Sequence, residues 1–270
     1  MNVRHAMTPA PITVSTSTTL DEAIDLMDRQ GICHLPVVDG AQLVGVVSDR
    51  DLLEATGWLP ARVLPVVRGS EVPGRVEEVM RTDAVVASPG EDVIEAGMEM
   101  LVQSVGCLPV LEDGGLIGIL AMSDVLRVYV EACKDASLEP EADPGASEVM
   151  TYNVLSIHPD STLEEAKALC LENDIRHLPV IQEGALVGIL SDRDLRAAAG
   201  RGRRSSYPVR ELMTTPVVTA SMDTPLTRCG ERLIENGIGS LPIVHEDQLQ
   251  GVLSGYDIVG FALEALRVNS

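Results

Sequence analysis

Leu43–Leu52 reads LVGVVSDRDL, and Leu186–Leu195 reads LVGILSDRDL. In both, an apolar run ends at a serine and charged residues follow. That order predicts a strand passing directly into a helix, with Ser48 or Ser191 as N-cap. The Ser-x-x-Asp spacing matches a capping box, in which the side chain three residues on returns to the N-cap N–H. Glu is the usual residue for that return and both stretches carry Asp, so a ligand role for the carboxylate competes with the structural one.

Working outward from these stretches exposes a fourfold repeat. Met7, Met80, Met150 and Met213 are followed 28 and 29 residues later by Leu35-Pro36, Leu108-Pro109, Leu178-Pro179 and Leu241-Pro242. Nine residues after each proline stands Gly45, Gly118, Gly188 or Gly251, and six after each glycine Asp51, Asp124, Asp194 or Asp257. A short β run follows each methionine: PITV, AVVA, VLSI and PVVT. A helix opens next, its apolar face clearest at Leu20, Ala23, Ile24 and Met27, spaced i, i+3, i+4, i+7. Thr19 with Glu22 and Thr162 with Glu165 have capping-box spacing, and Pro225 suits the first helical position of the fourth copy. Two apolar strands follow around a turn, as in HLPVVDGAQLVGVVS and CLPVLEDGGLIGILA, with Asp39-Gly40 and Asp113-Gly114 as hairpin signals. Each unit therefore reads strand, helix, strand, strand, helix.

A unit of roughly 60 residues buries only about 60% of its unfolded surface and is marginal alone, so units are expected to pair. Copies 1 and 3 share HLPV and SDRDL, whereas copies 2 and 4 carry GCLPV with AMSDV and GSLPI with SGYDI. The alternation points to a duplicated two-unit module. The acidic, proline-containing spacer KDASLEPEADPGAS reads as the linker between modules. The expected boundaries are 1–66 and 74–133 for the first pair, 134–146 for the linker, and 147–203 and 208–270 for the second pair.

The chain has 270 residues, of which 45% are hydrophobic and only 2% aromatic, so the core is built from small aliphatic side chains. Its net charge of −21 opposes broad attraction to nucleic acid or an anionic membrane. The exception is RGRRSSYPVR, where Arg201, Arg203, Arg204 and Arg210 form either a solvated loop or a phosphate contact. Cys33, Cys107, Cys133, Cys170 and Cys229 show no C-x-x-C spacing, which implies free thiols rather than a disulfide framework or zinc site. No signal peptide or membrane span is apparent. Together these features predict a soluble, cytoplasmic protein that needs no metal and binds neither nucleic acid nor membrane.

The order M-T, h-x-L-P-V-h, V-G-h-h-S-x-x-D-h resembles the cystathionine β-synthase (CBS) domain, whose tandem pair is a Bateman module. The resemblance covers all four units. It implies an α/β (α+β) fold of four CBS units paired into two Bateman modules. It also implies clefts between paired units that take AMP, ADP, ATP or S-adenosylmethionine as regulatory ligand. The family's S/T-x-x-D motif puts its Asp on ribose hydroxyls and its Ser near phosphate. It matches Ser48 with Asp51, Ser191 with Asp194 and Ser254 with Asp257, while in copy 2 Ala121 replaces the hydroxyl and Asp124 remains. The strand before Leu-Pro also lines the family's cleft, which brings in His34, Arg176 and His177. First-strand residues Ile12, Val85, Leu155 and Val218 would meet the base, although they suit a core equally well.

The chemistry fits such a ligand. A carboxylate accepts both hydrogens of a cis-diol, and a helix N-terminus favours phosphate. Glycine before the turn permits a close backbone approach. Arg50 and Arg193 either reach a polyphosphate or offset neighbouring carboxylates. No nucleophile elbow, H-E-x-x-H, Walker loop or dinucleotide fingerprint is present, and the repeats occupy the chain. The expected function is a non-catalytic energy or metabolite sensor acting on a regulated protein partner, as a homo-oligomer such as a dimer. The competing expectation is a ligand-free structural or protein-interaction module.

Overall fold

The structure, a computed structural model, describes residues 1–55, 74–134, 143–173, 175–200 and 206–268. The chain divides into two compact units, Met1–Val125 and Leu126–Ser270. Arg201, Arg203 and Arg204 lie outside the described residues. Arg210 is described, and its guanidinium pairs with the Asp160 carboxylate.

In the first unit, copy 1 runs α1 (Val3–Ala6), β1 (Thr8–Pro9), β2 (Val14–Ser15), α2 (Leu20–Gln30), β3 (His34–Asp39), β4 (Gln42–Ser48) and α3 (Asp49–Ala55). Copy 2 has a 3₁₀ turn (Val76–Glu78), α4 (Val93–Val102), β5 (Cys107–Glu112), β6 (Gly115–Ala121) and α5 (Met122–Lys134), inside which the division between units falls. In the second unit, copy 3 has a 3₁₀ turn (Ala146–Glu148), β7 (Thr151–Tyr152), α6 (Leu163–Glu172), β8 (His177–Gln182), β9 (Ala185–Ser191) and α7 (Asp192–Gly200). Copy 4 has a 3₁₀ turn (Val209–Glu211), α8 (Leu226–Asn236), β10 (Ser240–His245), β11 (Gln248–Ser254) and α9 (Gly255–Val268).

The local expectations hold at α2, at the threonine caps and at Asp113-Gly114, while the first hairpin turns at Gly40-Ala41, one residue past Asp39-Gly40. Leu20, Ala23 and Met27 are buried on α2, with Ile24 partly buried beside them. Thr19 and Thr162 form full capping boxes with Glu22 and Glu165. Each hairpin closes through a two-residue turn, with both central residues at positive φ in Asp113-Gly114, Glu183-Gly184 and Glu246-Asp247, as the twist of the strands requires. Pro225 is the N-cap of α8 rather than its first helical residue. It has no side-chain oxygen to offer, and Asp143, late in the acidic spacer, accepts from Thr227 N–H (3.1 Å) and from its hydroxyl instead.

One arrangement was not visible in the repeat pattern. The segment leading into each copy docks on the other copy of its pair. β1 pairs with β6, β7 pairs with β11, and bridges join Arg81 to Val46 and Thr214 to Ile189. The carbonyls of Met1, Gly74, Pro144 and Tyr207 accept from the first helical N–H of the opposite copy, at Val93, Leu20, Leu226 and Leu163. These donors have no partner inside their own helices. Val3, Val76, Ala146 and Val209, each four residues before the repeat methionine, are fully buried.

This crossing shortens the first strand. The runs PITV, AVVA, VLSI and PVVT suggest strands, but only Val14–Ser15 pairs as one, beside Val37–Val38. The other three touch at single positions, Ala87, Ile157 and Ala220. Each run spans from the opposite copy's sheet to its own, so only its end reaches its own ladder.

The repeat glycines are explained by the same crossing. A Cβ on Gly45 would stand 2.6 Å from the Arg81 carbonyl and 3.1 Å from Met80 Sδ, and one on Gly251 2.7 Å from the Thr151 carbonyl. On Gly118 the obstacle is only the Met7 side chain. The close approach is thus to the paired copy, through its backbone at Gly45 and Gly251 and through a methionine side chain at Gly118 and Gly188. Gly45→Ala is expected to lose about 1–3 kcal/mol in chemical denaturation by overpacking a fixed carbonyl. Gly118→Ala should cost less than about 1 kcal/mol, because a thioether can change rotamer.

Candidate functional site

Each copy ends its hairpin at a strand-to-helix junction. Ser48 N–H and Oγ–H donate to Asp51 Oδ2 at 2.8 and 2.6 Å, and Asp51 N–H returns to Ser48 Oγ at 3.2 Å. Ser191 with Asp194 and Ser254 with Asp257 repeat this geometry. In copy 2 the box is halved: Ala121 N–H donates to Asp124 Oδ2 at 2.9 Å, with no hydroxyl to add a second bond. The motif is therefore a reciprocal capping box in three copies, with the serine hydroxyl also donating to the Asp carboxylate. The box engages Oδ2. In copy 1, Asp51 Oδ1 faces Arg81 Nε at 3.5 Å.

The strand opposite completes the junction. His34, Cys107, His177 and Ser240 are register partners of Ser48, Ala121, Ser191 and Ser254. The residue before each is tied to the helix start, for example by Asp49 N–H on Cys33 O and Asp192 N–H on Arg176 O, both 2.9 Å. Arg176 is exposed and His34 half-buried. Burial pushes His177 below the usual histidine range, with Asp192 pulling the other way. It stands as a neutral hydrogen-bonding ring near neutral pH rather than a cation for phosphate. Its ring reaches the start of β10, where a Cβ on Gly239 would lie 3.3 Å from Cε1. The two copies of the second unit thus meet at these strand starts.

The first-strand candidates separate from the core. Ile12 is 39% and Leu155 41% exposed, whereas Val14 and Ile157, two residues on, are buried. Val85 and Val218 are half-buried. A core role is thereby removed for Ile12 and Leu155.

None of the five cysteines is in a disulfide. Burial pushes the Cys107 and Cys170 thiols up to about 12 and Cys229 to about 11, which keeps them protonated and unreactive. Cys33 and Cys133 are only half-buried. Among the described residues, no cluster of three metal-ligating side chains occurs, and no helix is long and apolar enough to cross a membrane. Sequence reasoning passed over Arg81. Its signal was the replacement of Thr in the Met-Thr pair of copy 2 alone, but its proximity to Asp51 depends on the crossing between copies.

A family model described as the CBS domain matches residues 3–57, 76–131, 146–201 and 209–264. Protein MJ1225 of Methanocaldococcus jannaschii, an uncharacterized protein, is 24% identical over 273 residues, spanning 93% of this chain and 94% of its own. Its crystal structure, described as that of a proposed archaeal homologue of g-AMPK, superposes with a TM-score of 0.79 at 23% identity, over 97% of this chain and 99% of that one. MJ1404 of the same organism is 26% identical over 280 residues, 96% of this chain and 61% of that protein. A conserved protein from Pyrococcus horikoshii superposes with a TM-score of 0.68 at 22% identity, over 97% of this chain and all of that one.

Proposed function

The chain belongs to the CBS domain family, four of whose domains lie along it, and from that premise we propose that it is a non-catalytic cytoplasmic sensor of adenosine-containing ligands. AMP, ADP, ATP or S-adenosylmethionine would bind between the copies of each pair and alter a regulated protein partner, with a homodimer as the working form. The observation that supports this most is the exposure of Ile12 and Leu155 at one repeat position. Large apolar side chains held out of the core offer a nucleobase apolar contact. The carboxylate Oδ1 atoms are the proposed ribose acceptors. Ser48, Ser191 and Ser254 would stand near phosphate, with Arg176 as its cation, His34 as a hydrogen-bonding group and His177 as a neutral one. Copy 2, with Ala121 and the buried Asp124, would be the weakest site.

The completed capping boxes favour a second reading, a ligand-free interaction module in which Ser-x-x-Asp only starts the helix. A thermal unfolding panel with AMP, ATP and S-adenosylmethionine separates the two. Ligand at about 100 times its dissociation constant adds about 2.7 kcal/mol of stability, a rise of a few degrees in a protein this size. A panel with no shift, and no heat in calorimetry, would sink the sensor reading.

A further inference from the structure

We propose that Arg81 makes the copy 1 site selective for anionic nucleosides, an inference that rests on the adenosine-site reading above. Copies 1 and 3 carry the same SDRDL pentapeptide and the same junction geometry at Asp51 and Asp194. They differ in what the paired copy brings to them. The residue after each repeat methionine is Thr8, Arg81, Thr151 or Thr214. The backbones at these positions dock alike: Arg81 exchanges hydrogen bonds with Val46 at 2.9 and 3.0 Å, and Thr214 with Ile189 at 2.8 and 3.2 Å. Thus Arg81 is delivered beside the copy 1 junction, and a threonine is delivered at the matching place in copy 3.

The Arg81 side chain is 62% exposed and its Nε stands 3.5 Å from Asp51 Oδ1, beyond a good hydrogen bond. With the guanidinium in solvent and the contact this long, the pair contributes little to stability, although the Asp51 side chain itself is only 12% exposed. The guanidinium is therefore free to turn from the carboxylate to an incoming ligand. Without it, copy 1 presents Asp49 and Asp51 in the first helical turn, which repels an anion; Arg50 and Arg81 are the nearby cations that offset them. Guanidinium matches a phosphate with parallel N–H donors, whereas threonine offers one hydroxyl and no charge. A neutral nucleoside gains nothing from Arg81 and must also compete with it for Oδ1. Selection at this site thus depends on a residue thirty positions from Asp51, in the other repeat.

The test is calorimetric titration of the full chain with AMP and with adenosine, comparing wild type with Arg81→Thr, Arg81→Lys and Thr214→Arg. Arg81→Thr installs the residue found at the other three positions, and circular dichroism checks that the fold is kept. It should weaken AMP at one site on the order of ten- to hundredfold, the worth of a charge-assisted contact, and leave adenosine unchanged or tighter. Arg81→Lys should retain part of the preference, and Thr214→Arg should strengthen AMP at a second site. If AMP and adenosine shift together, or if AMP binding is indifferent to Arg81, the inference is overturned while the adenosine site stands. If the wild-type chain binds neither, the site reading fails and this inference with it.

Discussion

Val3→Asp, a change in the sequence of copy 1, is expected to open copy 2. Val3 is fully buried, and its N–H donates to Glu91 O (2.8 Å) while Arg4 N–H donates to Pro89 O (3.0 Å), both just ahead of α4. In return Val93 N–H donates to Met1 O at 3.0 Å, closing the first turn of α4. Replacing the isopropyl group forfeits about 1.5–3 kcal/mol of apolar burial. An unpaired carboxylate at the same place adds a desolvation cost of several kcal/mol. The combined loss, about 4 kcal/mol or more, is comparable with the whole 5–15 kcal/mol stability of an ordinary domain. Hydrogen exchange should show protection lost first at the start of α4 and along β6, before α2 of copy 1. Val3→Ala should give the same order with a loss of about 1–2 kcal/mol, from its missing methyl groups alone. Protection lost first in α2 would mean that the leader serves its own repeat.

The second large effect concerns Asp194, where capping and binding can be separated. Asp194→Ala removes the acceptor for Ser191 N–H and Oγ–H, so about 1 kcal/mol of stability should go with the cap. On the proposed reading it also removes the ribose acceptor, and nucleotide affinity at the copy 3 site should fall about a hundredfold, the worth of two weak or one strong charge-assisted bond. Asp194→Asn keeps a carbonyl oxygen for the cap and loses the charge. It should unfold within about 0.5 kcal/mol of wild type, because the cap survives, and still bind about tenfold more weakly. Calorimetry and chemical denaturation on the same two variants give both numbers. Equal nucleotide affinity in all three proteins would leave Asp194 as a helix cap and nothing more.

These experiments follow the line between what could be read from residues and what could not. The capping boxes at Thr19 and Thr162 and the hairpin at Asp113-Gly114 were legible because their partners lie two or three residues apart. The Ser-x-x-Asp junction was legible for the same reason, though its two roles were not separable by spacing. Pro225 was misplaced by one position because its missing cap is supplied by Asp143, which accepts from Thr227 across 84 residues of chain. The β runs after each methionine looked like strands because their composition is right. They remain mostly unpaired because each is stretched between two sheets.

By itself the sequence determined four repeats, their register, their pairing by alternation, and the local chemistry of the threonine-capped helix starts and the Ser-x-x-Asp junctions. Those follow from interactions within a few residues, where steric and hydrogen-bonding preferences act on the chain directly. Only the tertiary structure decided which copy each methionine, leader carbonyl and Arg81 serves. Four copies of one register permit self-docking and exchange equally well on paper. Choosing between them depends on closing loops of many residues against the burial of Val3, Val76, Ala146 and Val209 in the opposite copy, a balance that no local pattern records.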